Sequence, residues 1–124
     1  MKNIAVGIGC RSGVAPEAIV SLVRETLAQA ALLADGARLF TIDAKQGEAG
    51  LVQAAADLGA PLRFISRDTL AAIDTPTRSA QLLKKFGVAS VAESAALAGA
   101  GEGATLVVPR VAREGVTCAV AAVP

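Results

Sequence analysis

The sequence predicts an α/β domain with a largely parallel sheet of about five strands, helices on both faces, and an antiparallel strand pair at the C-terminal side. Three observations lead there. Short apolar runs without polar alternation, the mark of strands buried on both faces, recur through the first half of the chain. Stretches of helical periodicity separate them. The last two apolar runs, Thr105 to Pro109 and Val116 to Val120, are joined by a polar connection carrying Arg110, Arg113 and Glu114, close enough in sequence to pair as a hairpin.

In chain order, Asn3 to Ile8 reads as the first strand, followed by the glycine-punctuated run Gly7-Ile-Gly9-Cys10-Arg11-Ser12-Gly13. Pro16 suits a first helical turn, Glu17 complements the positive helix end, and Ile19, Leu22, Val23 and Leu27 share one face. Asp35-Gly36 ends that helix. Arg38 to Asp43 is the second strand, and Glu48 to Leu58 an alanine-rich helix closed by Gly59. Pro61 to Ile65 is the third strand, after which Ser66 is placed to cap a short helix containing Leu70 and Ile73. A helix over Thr77 to Phe86 is expected to stop at Gly87. Ser90-Val-Ala-Glu93 has the spacing of a capping box opening a helix to Ala98, and Gly99, Gly101 and Gly103 form a break before the hairpin.

The 124 residues fit one domain over 1–124, with no linker or internal repeat. Alanine is the commonest residue of a chain that is 53% hydrophobic, which predicts a thin, tightly layered core, since alanine packs closely but contributes little hydrophobic energy per residue. The chain has no His, Trp or Tyr. That removes His-based dyads and triads, the common zinc sites, and a protein imidazole as axial ligand to a haem or corrinoid metal. No metal site and no cofactor are expected. A net charge of +1 and only Phe40, Phe64 and Phe86 as aromatics offer neither a field nor a stacking platform for nucleic acid. Cys10 and Cys118 form no CxxC pair, and the opening Met-Lys-Asn leads straight into a strand, so a cytoplasmic protein with reduced thiols is expected. No apolar run approaches the ~20 residues of a membrane span.

In open α/β sheets, ligands collect beyond the carboxyl ends of the strands. The run Gly7, Gly9, Cys10, Arg11, Ser12 and Gly13 falls there, and a helix N-terminus beside an arginine favours a carboxylate or phosphate. The same glycines would equally serve a tight turn. The spacing is GxGxxxG rather than GxGxxG, which weakens a dinucleotide reading with Asp43 as the ribose acid. Cys10 has the helix terminus and Arg11 to lower its thiol pKa, but no His to act as a base, so it is either a nucleophile or a small residue filling a turn. The second cluster, Thr41, Asp43, Lys45 and Glu48, reads as a polar-ligand site or as helix capping with a solvated lysine. Ser66 and Glu93 are capping residues that also stand beside the expected site, and Cys118 reads as core.

Gly7-Ile-Gly9-Cys10-Arg11, Thr41-Ile-Asp43-Ala-Lys45 with Glu48, Gly50 and Leu51, Leu58-Gly59, Pro61-Leu62, Gly87-Val88, Ser90-Val-Ala-Glu93 with Ala95-Ala-Leu97, and Thr117 to Ala121 together resemble the cobalamin-biosynthesis CobE family, which is similar to the C-terminal domain of CbiG. The ordered set spans nearly the whole chain. Ser12 stands where a second basic residue often follows Cys-Arg, and Arg110 where lysine is expected. The resemblance implies a role in corrin-ring synthesis. CbiG opens the ring lactone of a cobalt-precorrin and releases acetaldehyde, but the rest of CbiG has no counterpart here.

The ligand the resemblance implies, a precorrin or hydrogenobyrinate-like intermediate, carries carboxylates around an apolar macrocycle. Backbone N–H groups, Arg11, Lys45 and Arg110 beside small apolar residues would suit it. The expected role is therefore accessory or carrier, with other cobalamin-biosynthesis enzymes as further partners. A hydrolase acting on a precorrin lactone is the alternative, and a purely structural partner of a precorrin methyltransferase ranks last.

Overall fold

Strand and helix alternate as the apolar runs require. The computed structural model describes residues 1–124 and contains β1 (Lys2–Cys10), α1 (Pro16–Gln29), β2 (Arg38–Ile42), α2 (Ala49–Leu58), β3 (Leu62–Ile65), α3 (Arg67–Ala71), α4 (Ala80–Phe86), α5 (Val91–Ala100), β4 (Thr105–Arg113) and β5 (Val116–Val123). The five strands form one sheet in the order β3-β2-β1-β5-β4. β1, β2 and β3 are mutually parallel, whereas β5 runs antiparallel to both β1 and β4. This is the mixed α/β sheet expected, with β1 at its centre. No helix is long and apolar enough to cross a membrane.

The two faces of the sheet are covered differently. On one, Val6, Ile8 and Leu39 meet Ile19, Leu22, Val23 and Leu27 of α1 and Leu51 and Ala54 of α2. On the other, Ala5, Phe40, Ala119 and Ala121 meet Ala92, Ala95 and Ala96 of α5. Small side chains on both partners bring α5 close to the sheet. Gly7 sets the closest approach: a Cβ there would stand 1.8 Å from the Ala92 carbonyl oxygen and 2.6 Å from the Ala96 nitrogen. Gly7 is thus a buried strand residue under a helix, not a loop residue. β1 continues past Ile8 because its antiparallel pairing with β5 extends to Cys10 opposite Val116.

Several boundaries differ from the sequence reading for identifiable reasons. The first helix ends at Gln29 rather than at Asp35-Gly36, because Ala31 takes a positive φ of 57° and the Leu32 N–H turns back to the Leu27 carbonyl at 2.9 Å. The helix expected from Thr77 starts at Ala80, because the Ser79 hydroxyl accepts from the Leu82 N–H at 3.2 Å while Thr77 is held by Glu93 instead. Ser90 caps α5 by accepting from the Glu93 N–H at 3.3 Å, but the capping box is not reciprocal. The Glu93 carboxylate turns to Thr77 and Arg110. α5 runs through Gly99 to Ala100, because the missing side chain of Gly99 lets the helix seat on the Phe40 ring. The second strand stops at Ile42, and Asp43–Lys45 form a short 3-10 turn; Glu48 occupies the N-cap position of α2 without a side-chain cap bond.

The hairpin strands are longer than their apolar runs. β4 and β5 reach Arg113 and Val123 and are joined by Glu114-Gly115, both at positive φ (52° and 79°), the backbone of a tight two-residue hairpin turn. Pro109 and the flanking arginines masked this continuation. Ser66 caps α3 as expected, accepting from the Thr69 N–H at 3.2 Å. Ser90 is buried and Ser66 exposed, so urea unfolding should show Ser90→Ala losing about 1–2 kcal/mol and Ser66→Ala less than about 1 kcal/mol.

Candidate functional site

A cleft of about 950 Å³ opens at the carboxyl ends of the parallel strands. Its floor is Gly9 and Cys10 of β1, Ile42 at the end of β2, and Val116 and Thr117 where β5 begins. α4 forms one wall with Leu82, Lys84, Lys85 and Phe86; Arg110, Ala112 and the Glu114-Gly115 turn form the other. Apolar and cationic groups therefore share the same surface.

The lining carries Arg11, Lys45, Lys84, Lys85, Arg110 and Arg113 but only one acid, Glu114. Arg113 is already engaged: it pairs with Glu25 and donates to the Ser21 hydroxyl at 2.9 Å, both on α1. The molecule's other ion pair, Arg67 with Asp68, lies elsewhere. The remaining five lining cations have no carboxylate partner. Lys85 holds its ammonium 5.2 Å from the Phe86 ring centre. Lys45 is the most constrained of them. The 3-10 turn after β2 folds it inward until the residue is only 9% exposed, with its ammonium free of any ion pair and left open to the cleft. An ammonium held at the end of a largely buried stem, with no counter-charge of its own, is placed to meet an anion with little further loss of side-chain freedom.

The family is decided by comparison with known proteins. The profile of the family described as Cobalamin synthesis G C-terminus matches residues 4–121. The chain belongs to the CbiG C-terminal family. Protein CobE of a Sinorhizobium species is 31% identical over 122 residues, spanning 96% of this chain and 79% of that protein. Cobalt-precorrin-5A hydrolase of Priestia megaterium is 30% identical over 124 residues, 99% of this chain but only 33% of the hydrolase. Among solved structures, that of CobE, a protein from the cobalamin (vitamin B12) biosynthetic pathway, matches with a TM-score of 0.89 at 34% identity, covering 95% of this chain and 88% of that one. Cobalamin biosynthesis protein chiG from Agrobacterium tumefaciens matches with a TM-score of 0.72 at 33% identity, covering 97% and 98%. This CbiG C-terminal family member is a cobalamin-biosynthesis protein.

In this family member the cleft gathers part of the sequence-predicted set. Gly9, Cys10, Arg11, Ser12 and Lys45 line it. Gly7 lies under α5, and Gly13 stands outside with its N–H donated to the Glu48 carboxylate at 3.2 Å. The loop before α1 thus has an internal carboxylate on one of its amides, and the Arg11 N–H is used on the Gly115 carbonyl at 2.9 Å. Thr41 is buried and donates its hydroxyl to the Ile8 carbonyl at 2.6 Å, tying β2 to β1 behind the floor. Asp43 is exposed and Ser66 caps α3, both away from the lining. Glu93 is fully buried behind the wall. Sequence reasoning missed Lys84 and Lys85. Their signal was present as a Lys-Lys pair in the last turn of a helix, which reads as dipole complementation until α4 is seen to face the cleft.

Cys10 sits in the floor with its thiol pKa pushed up, chiefly by burial; Lys45 lowers it and Glu48 raises it. Burial likewise pushes the core Cys118 to about 12. A raised pKa means less thiolate at neutral pH, so iodoacetamide should modify Cys10 slowly near pH 7. The rate should climb only above the usual thiol value of ~8.5. An alkylation profile with its midpoint below that value would instead mark Cys10 as an activated nucleophile.

Proposed function

We propose that this protein binds a polycarboxylated corrin-ring intermediate, a precorrin or a hydrogenobyrinate-like acid, as an accessory or carrier within cobalamin biosynthesis. The observation that carries this reading is the unpartnered ammonium of the largely buried Lys45, open to a cleft with four further unpaired cations. Carboxylates at the rim of the ligand would meet Arg11, Lys45, Lys84, Lys85 and Arg110 as charge-assisted hydrogen bonds. The half-buried Leu82 and Phe86 of α4 offer the macrocycle an apolar surface among them. A cytoplasmic setting and contacts with other enzymes of the pathway accord with this role.

Binding accounts for the cleft better than hydrolysis. Hydrolysis needs a general base or an activated nucleophile within reach of the scissile bond. The lining offers no imidazole, its one thiol has a raised pKa, and its one carboxylate, Glu114, is exposed to water in the hairpin turn rather than set in the floor. Because the chain covers a third of the cobalt-precorrin-5A hydrolase, that protein's activity is not assigned to it. The test is a titration of the purified protein with hydrogenobyrinic acid and earlier precorrins, followed in the visible spectrum and by co-elution on gel filtration. A spectral shift with co-elution is expected for at least one of them, with the ligand recovered chemically unchanged. Absence of both effects throughout the series would overturn the reading.

A further inference from the structure

Glu93 is the one completely buried carboxylate of the molecule, and it forms no ion pair. Its partners are the Thr77 N–H at 2.9 Å, the Thr77 hydroxyl at 3.0 Å and the Arg110 N–H at 3.0 Å. Arg110 belongs to one wall of the cleft, and Thr77, outside the lining, stands in the segment before the other. Thr77 leads into α4, which carries Lys84 and Lys85 and buries no residue of its own. Arg110 lies in an irregularity of β4, where Val108 pairs with Val120 but Val111 pairs with Cys118, so one extra β4 residue is accommodated between them. Pro109 has no N–H to donate, and the Arg110 N–H points to Glu93 instead.

We propose that Glu93 is a positioning residue that ties the α4 wall to the Arg110 wall and so fixes the spacing between the two banks of cations. The proposal rests on the polycarboxylate reading and deepens it. A ligand with acids on opposite edges is gripped by both walls at once, and its affinity depends on a spacing that Glu93 sets. A ligand with acids on one edge needs a single wall and is indifferent to that spacing. Glu93 acts through Thr77 and Arg110 rather than by touching the ligand, which agrees with its complete burial.

Glu93→Gln tests the tie, because it keeps the side-chain size but turns an amide N–H₂ toward groups that are themselves donors. Uroporphyrin, with acids around its whole ring, and mesoporphyrin, with acids on one edge, are the probes, titrated by fluorescence. The variant should bind uroporphyrin at least ~10-fold more weakly and mesoporphyrin within ~2-fold of wild type. Equal loss for both probes, or loss for neither, would overturn the proposal. Hydrogen exchange on the ligand-free protein gives an independent readout. Glu93→Gln should speed exchange in residues 77–86 and 108–112 and leave α1 unchanged, and unchanged exchange at either wall contradicts the tie. Failure of the wild type to bind either porphyrin would count against the polycarboxylate reading, with the tie still judged by exchange.

Discussion

Gly7→Ala should be the most destabilising single methyl that can be added to this protein. The new Cβ would fall 1.8 Å from a backbone oxygen and 2.6 Å from a backbone nitrogen of α5, neither of which can move as a flexible side chain would. Relief requires lifting α5 from the sheet, and with it the alanine layer of Ala92, Ala95 and Ala96. Overpacking against rigid backbone in a close-packed layer should cost about 3 kcal/mol or more, a large share of the ~5–15 kcal/mol that holds a typical domain together. Gly13→Ala is the matched control. Gly13, unlike Gly7, has a positive φ, 78°, but nothing lies within 4 Å of its added Cβ, so only backbone strain of about 1 kcal/mol is expected. Urea unfolding followed by circular dichroism compares the two. If Gly7→Ala costs no more than Gly13→Ala, the close seating of α5 is not what Gly7 provides.

Lys45→Met should separate binding from stability. Methionine keeps an unbranched apolar stem in the space that Lys45 fills and removes the ammonium. The ligand-free protein should keep its stability to within about 1.5 kcal/mol, since the buried stem is replaced and the ammonium makes no ion pair to lose. Affinity for a polycarboxylated corrin should fall about 10- to 100-fold, the loss of one charge-assisted contact of ~1.5–3 kcal/mol. The salt dependence of binding should flatten with it. Calorimetric titration alongside a thermal melt reads both quantities. Unchanged affinity, or affinity lost only in step with Tm, would remove Lys45 from the site.

Much of this arrangement was legible in the residues. Pro16, the apolar face of α1, the left-handed cap at Gly59 and the strand-then-helix alternation are local signals, and each appears where its chemistry places it. The cleft at the carboxyl ends of the strands follows from the alternation itself, so Cys10, Arg11 and Lys45 were findable from their positions alone. What lay hidden depends on contacts distant in sequence. Nothing near Gly7 reveals that α5, some 85 residues later, crosses it. The Ser90-to-Glu93 spacing reads as a reciprocal box, whereas the carboxylate is drawn off by donors 16 and 17 residues away. Lys84 and Lys85 look solvated until the orientation of α4 is known.

The near-zero net charge takes on a local meaning in this structure. Charges that nearly cancel over the chain are separated in space, so six cations and a single acid share one cleft. The most direct measurement of the central claim compares a corrin polycarboxylate with its own methyl ester, titrated against the wild-type protein at low and high salt. Ring and shape are common to both, and only the charges differ. The free acid should bind, more weakly as salt rises, and the ester should show no saturable binding. Equal binding of acid and ester would contradict recognition through carboxylates.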